Sequence, residues 1–253
     1  MLVHINNILK RMLMLIIIIL LCFLIFLIDN IIENNNINDI VLEFKDRGIK
    51  VYENDTYTYY KVLKKYDYED CSNVVTNYDD KTIGTTGDIY ISNRNPMGDF
   101  FITEWISKVA WIGHCGIVYS EDALLLLEIF GNKSKELNSV ILWENTWLDT
   151  KTPNLVILRC KDIDDNKKES IKNISKELIG SKYNYTFLYS KKRFYCTSLI
   201  NHIYNEIGID LNDDSFFNTG ADYITDNDTY MIYYKETYVK NNKECYNIYY
   251  LSE

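Results

Sequence analysis

Residues Met12 to Ile28 form an unbroken run of 17 apolar side chains, MLMLIIIILLCFLIFLI. No other stretch limits the fold as strongly. A helix made from it has no polar face, so it does not suit the surface of a soluble domain. Its length is the short end of what spans a bilayer. A cleaved secretory peptide is the alternative, but such peptides end in small residues. This run ends Phe26-Leu27-Ile28-Asp29, which favours an uncleaved signal anchor over residues 1–28. Lys10 and Arg11 precede it and predict a cytoplasmic N-terminus, with the rest of the chain on the extracytoplasmic side.

All 36 acidic residues and all but two of the 27 basic residues lie beyond the run. That acidic balance argues against nucleic acid, whose affinity comes from Lys and Arg on phosphates. It also gives no attraction to anionic lipid. With 47% hydrophobic and 25% charged residues, the bulk is globular rather than disordered. Ten glycines and two prolines exclude collagen-like and Pro-rich classes. No repeat of roughly 20–50 residues marks a solenoid or propeller.

The expected organisation is an anchor at 1–28, a polar juxtamembrane segment at 29–80 and a catalytic domain at 81–253. The juxtamembrane segment is Asn- and Tyr-rich and shows no clear period; one short helix is expected near Tyr57–Lys65. Gly87-Asp88 reads as a turn entering a strand at Ile89–Ile91. Phe101, Trp105, Ile106 and Val109 share one stripe and predict a helix over Phe100–Val109. Trp111–Tyr119 and Ala123–Phe130 flank the polar break Ser120-Glu121-Asp122, a β-hairpin pattern. Asn154–Cys160 reads as a strand. Helices are expected at Ser170–Ile179, capped by Gly180, and at Cys196–Ile207, ended by Gly208. Tyr230–Tyr234 and Tyr246–Leu251 read as closing strands. Strands and helices mix without βαβ alternation, so the class is α+β.

Six cysteines occur: Cys22, Cys71, Cys115, Cys160, Cys196 and Cys245. Cys71 has possible partners in Cys245 and Cys160 if the domain is exported. No C-x-x-C is present, and the histidines are His4, His114 and His202, so a zinc site of the usual spacing is not expected. Asp210–Asp214 and Asp226–Asp228 lack EF-hand spacing and read as solvated loops. No cofactor is expected. No G-x-S-x-G, P-loop or G-x-G-x-x-G occurs. Sequons at Asn54, Asn132, Asn173, Asn184 and Asn227 are chance matches in an Asn-rich chain.

Three residues carry the candidate chemistry. Cys196 falls where Phe194-Tyr195 meets a helix start. Unpaired amides and the positive dipole end lower a thiol pKa there. His114 sits in an apolar strand, as a core histidine or as the base a thiol needs. Glu128 lies between Leu124–Leu127 and Ile129-Phe130. It either faces water from an edge strand or needs a partner. With the hairpin turn centred on Glu121, His114 faces Glu128 directly, as cross-strand neighbours.

These motifs resemble a known family. Gly87-Asp88-Ile89, His114-Cys115-Gly116-Ile117-Val118, Leu127-Glu128-Ile129-Phe130-Gly131 and Tyr195-Cys196-Thr197-Ser198-Leu199-Ile200 are similar to the YiiX-like permuted papain-fold proteins of the NlpC superfamily. The order His, Glu, Cys is the permuted one. The resemblance spans about Gly87 to Gly208. It implies a papain-like (NlpC-type) permuted fold: an antiparallel sheet packed on helices, here preceded by one N-terminal transmembrane helix. It also implies a thiol hydrolase, amidase or peptidase, acting on an amide or related acyl bond. Cys196 would be nucleophile, His114 general base and acid, and Glu128 the group orienting His114. Asn184 stands where the family has Asp after Tyr183. Cys115 replaces an apolar residue; on a strand it should face away from His114 as core, and it is the rival nucleophile. Glu144 is the rival orienter, read as a surface or rim residue, and His202 as packing or solvent-facing. Partners are a peptide or lipid acyl substrate, and the membrane through the N-terminal helix. Two other readings stay open. One is a lipid acyltransferase or phospholipase with the same triad, its apolar groove flanked by Trp105–Trp111 and Trp143–Trp147. The other is a non-catalytic binding module.

Overall fold

A computed structural model describes residues 2–74, 82–93, 111, 113–131, 138–148, 154–186, 190–211 and 218–253. The expected helix over Phe100–Val109 lies outside these residues. The chain opens with helix α1 (Leu2–Asp46). Strands β1 (Gly48–Glu53) and β2 (Tyr57–Leu63) follow, then β3 (Ile89–Ser92), β4 (His114–Val118), β5 (Leu125–Ile129), β6 (Val140–Glu144) and β7 (Leu155–Cys160). Helix α2 (Asp165–Leu178) leads to the short strands β8 (Lys182–Tyr183) and β9 (Arg193–Phe194). Helices α3 (Cys196–Glu206) and α4 (Gly220–Thr225) precede the long hairpin of β10 (Thr229–Lys240) and β11 (Lys243–Ser252).

Nine strands form one sheet in the order β1-β2-β11-β10-β7-β3-β4-β5-β6. Its pairings are antiparallel except β2 with β11, which is parallel. Helix α3 packs on β4 and β5, α2 on α3, and α4 on both α1 and β10. Strands β3 and β7 are buried throughout, as expected where helices cover a central strand. The mixed α+β class stands.

Residues 29–74, the described part of the expected juxtamembrane segment, are not a polar stalk. α1 continues through the apolar run to Asp46, and Ile37, Val41 and Phe44 on its last turns join the core. Those positions lie four and three apart, the helical spacing of a buried face. The helix expected near Tyr57–Lys65 is strand β2. Five of its seven residues, YTYYKVL, are β-branched or aromatic, types that suit a pleated sheet. Tyr57 stacks on Tyr246 and Tyr60 on Tyr249, at centroid distances of 5.2 and 4.4 Å.

Among the described residues, no helix is long and apolar enough to cross a membrane, contrary to the spanning anchor expected over 1–28. The unbroken run reaches only about 25 Å as a helix, short of the roughly 30 Å hydrocarbon layer. Its described side chains, Met12 to Ile25, are nevertheless mostly exposed.

Of the three helices expected within 81–253, the two that fall on described residues are present. Asp164 caps α2 by accepting from the Lys167 amide at 2.8 Å. In α3, Leu199, Ile200, Ile203 and Tyr204 are buried, and Gly208 ends the helix at φ +81. The Tyr204 hydroxyl donates to the Gly87 carbonyl, tying α3 to the turn before β3. Behind that turn, Arg159 and Asp88 form a buried ion pair at 2.7 Å. Arg159 also donates to the carbonyls of Asp70 and Ser72. None of the six cysteines is in a disulfide.

Candidate active site

The β4–β5 hairpin sets the geometry. Ile117 pairs with Leu127 and Val118 with Leu126, so the register is shifted by two residues from the one expected. Extended to the strand ends, it places Gly116 opposite Glu128 and His114 opposite Phe130. His114 and Glu128 are therefore diagonal neighbours rather than direct partners. A shift of two keeps both on the same face of the sheet.

Glu128 spans the diagonal because Gly116 leaves it room. A Cβ at Gly116 would come within 2.9 Å of the Glu128 Cγ. Through this opening the carboxylate reaches His114, with Nε2 of the imidazole 3.1 Å from Oε2. Glu128 is 2% exposed and the His114 side chain 24%, so one partner is sealed and the other faces the opening.

Trp147 completes the holding of Glu128. Its indole Nε1 donates to Oε1 at 2.7 Å. The same ring stacks on His114 at 5.5 Å between centroids, and Phe130 lies 4.8 Å from the imidazole. Trp147 is fixed in turn by Asn145, whose Oδ1 accepts from the Trp147 amide. The Asn145 Nδ2 donates to the Tyr90 hydroxyl and the Ala123 carbonyl. The expectation that Trp143–Trp147 lines an apolar groove is thus not what Trp147 does. No pattern in the sequence pointed to it, because an indole 19 residues from its carboxylate leaves no periodic signal.

Cys196 is the first residue of α3, with Tyr195 at the N-cap. The Ser198 hydroxyl accepts from the Tyr195 amide at 2.9 Å and fixes this first turn. The thiol is hydrogen-bonded to both Cys115 and His114. The Cys115 contact, against the cost of burial and with the imidazole's help, holds Cys196 well below the ordinary thiol value. Burial pulls His114 down, but hydrogen bonds to Cys196 and Glu128 outweigh it and carry its pKa up to about 10. The two shifts favour a thiolate–imidazolium pair.

Cys115 is buried, as a core residue should be. It is also more than core, because its thiol meets Cys196. Burial first, and Cys196 second, push it well above the ordinary value. Tyr183 packs on Gly131, where a Cβ would lie 2.8 Å from the ring. Burial, with Cys196 close by, raises that phenol. Asn184 is buried, and its Oδ1 accepts from the Thr186 amide and hydroxyl. Glu144 is exposed at the end of β6, opposite Leu125, away from His114. His202 rests on Phe194 at 5.1 Å. Among the described residues no cluster of three His, Cys, Asp or Glu is arranged to hold a metal ion.

A helix-start cysteine meeting an imidazole on an antiparallel sheet defines a papain-like arrangement. Residues 85–246, well over half of the chain, match the permuted papain-like amidase enzymes of the YaeF/YiiX, C92 family. The chain belongs to that family. Its fold is similar to a crystal structure described as metalloprotein yiiX from Escherichia coli O157:H7. The identity is 14%, the TM-score 0.46, and the match covers 58% of this chain and 96% of that one. No curated protein matches the chain.

Proposed function

We propose that the protein is a thiol hydrolase that cleaves an amide or related acyl bond, with Cys196 as nucleophile. The observation that carries this reading is the connected set Cys196–His114–Glu128, closed by the 3.1 Å contact between His114 Nε2 and Glu128 Oε2. A nucleophile, a base and a group orienting the base, each within hydrogen-bond reach, is the logic of an activated nucleophile. Nε2 is held by Glu128, so the other ring nitrogen serves Cys196.

The Cys196 thiolate attacks the acyl carbon, and the developing oxyanion meets the amides at the start of α3. His114 then gives its proton to the leaving amine, and a thioester remains on Cys196. Water, deprotonated by His114, attacks that thioester and releases the acid. Glu128 keeps the imidazole oriented throughout. Trp147 and Phe130 confine the ring to the plane this requires.

Membrane attachment through α1 is part of the reading. Leu9, Met12 to Ile25, Ile28, Ile31 and Ile32 expose apolar side chains around the helix, more than a soluble surface normally carries. Their burial in a bilayer places the site beside membrane-bound substrates.

The test is thiol reactivity against pH with iodoacetamide and mass spectrometry, on wild type, Cys196→Ala, Cys115→Ala and His114→Ala. Selective alkylation of Cys196 below pH ~7, where an ordinary thiol is protonated, and its loss in His114→Ala, is the expected outcome. Reaction no faster than a free thiol would overturn the assignment.

A further inference from the structure

We propose that Cys115 and Cys196 form a reversible disulfide when the protein meets a peroxide, and that this bond both silences the nucleophile and protects it. The inference rests on Cys196 being the reactive thiol proposed above. It adds a second function for Cys115, whose contact already helps to hold the Cys196 thiol ionised.

The two sulfurs come from elements locked against each other. Cys115 is on β4, held in the sheet opposite Ile91 of β3. Cys196 opens α3, which packs on β4. Their side chains already share a hydrogen bond, so no refolding is needed to bring them together. Cys22 is exposed on α1, and the other thiols of the β-sheet lie elsewhere. The Cys245 Sγ faces the carbonyls of Asp55 and Lys243 at 3.6 and 3.8 Å, and Cys160 sits at the far end of β7. The exposures divide the roles. Cys196 is partly exposed and open to a small oxidant, whereas Cys115 is 2% exposed and shielded from one.

The chemistry balances with a hydroperoxide as oxidant. The Cys196 thiolate attacks one peroxide oxygen; an S–O bond forms, the O–O bond breaks, and the departing oxygen takes a proton to leave as water or an alcohol. Cys196 is then a sulfenic acid. Cys115 gives up its proton and attacks that sulfur. An S–S bond forms, the S–O bond breaks, and the released hydroxide takes the proton to become water. Two thiols lose two electrons in all, and the peroxide gains them.

The electrostatics favour this order. In the reduced state the Cys196 sulfur is one of the groups that keep Cys115 protonated and inert. Once Cys196 is a sulfenic acid, that charge is gone and Cys115 ionises more easily. A resolving thiol attacks fastest when its pKa lies near ambient pH. Without it, the sulfenic acid goes on to sulfinic acid, which thiols do not reverse.

The experiment treats full-length protein with hydrogen peroxide and follows intact mass, peptide cross-links and Cys196 alkylation. Wild type should lose two hydrogens in mass, yield a Cys115–Cys196 cross-linked peptide, and regain full alkylation with dithiothreitol. Cys115→Val also loses a contact that keeps Cys196 ionised, so it should oxidise more slowly, but the product should gain two or three oxygens at Cys196 and stay unreactive after reduction. Cys115→Ser, nearly isosteric, should behave as Cys115→Val does, which separates a packing defect from loss of the thiol. Over-oxidation of Cys196 in wild type, or its cross-linking to another cysteine, overturns the proposal. The cross-link is read without any substrate. A cross-link in a protein that cleaves no acyl bond would sink the hydrolase reading alone. Hydrolysis without the cross-link would sink this one alone.

Discussion

Glu128→Gln tests the centre of the site, because it keeps the shape and removes the charge. In the folded protein His114 stays protonated up to about pH 10, partly through its contact with Glu128. At 3.1 Å, two unit charges in an effective dielectric near 20 attract by about 5 kcal/mol, a ceiling for this pair. The imidazole is about a quarter exposed, so solvent takes part of that. Carboxylates at this range generally move a partner by roughly 1–3 pKa units, or about 1.4–4 kcal/mol. The His114 midpoint should therefore fall by ~1–3 units in Glu128→Gln.

NMR of protein carrying 13C-labelled histidine reads this directly, since only His4, His114 and His202 contribute signals. Titration of wild type, Glu128→Gln and Cys196→Ala separates the carboxylate's share from the thiolate's. The sign of the stability effect follows. His114 is raised above its ordinary 6.5, so its contribution is complete below that value and is lost as pH rises through about 10. In Glu128→Gln the loss should begin at lower pH, and the alkaline limb of activity should move with it. A His114 midpoint within ~0.5 unit of wild type would refute the argument that Glu128 holds the imidazolium.

Other outcomes follow from the same contacts. Gly116→Ala puts a Cβ against the Glu128 Cγ; overpacking of this kind costs about 1–3 kcal/mol in thermal or denaturant unfolding, and kcat should fall more than KM rises. Gly116→Ala combined with Glu128→Asp should recover the stability but not the rate, because the shorter carboxylate no longer reaches His114. Asp88→Asn leaves the buried Arg159 only the half-exposed Asp70 carboxylate, 3.3 Å away, and should cost up to about 3–5 kcal/mol by chemical denaturation, with Cys196 reactivity unchanged in the fraction still folded. Removing residues 1–28 should abolish flotation with lipid vesicles and leave the melting temperature in place, whereas Phe44→Ala, in the same helix, should destabilise by about 3–5 kcal/mol.

The contrast between residue 28 and residue 44 shows where sequence was hard to interpret. The apolar run is legible because every position agrees. The remainder of α1 is not, because Ile37, Val41 and Phe44 are spaced among Asn, Asp and Glu that mask a single buried stripe. Strand β2 was misread for a related reason. Tyrosine serves either class, and only pairing with β11 on one side and β1 on the other makes it a strand. The site was more legible than its scaffold, and the hairpin explains why. Its expected register was wrong by two residues, yet His114 and Glu128 still meet. The side-chain period of a strand is two, so an even slip exchanges a direct neighbour for a diagonal one on the same face. An odd slip would have sent Glu128 to the opposite face. What the parity could not supply was reach. A direct pair needs nothing between its members, but a diagonal one needs a vacancy, and Gly116 provides it. The glycine in His114-Cys115-Gly116 is thus part of the geometry that joins Glu128 to His114, and its role is visible only once the register is known.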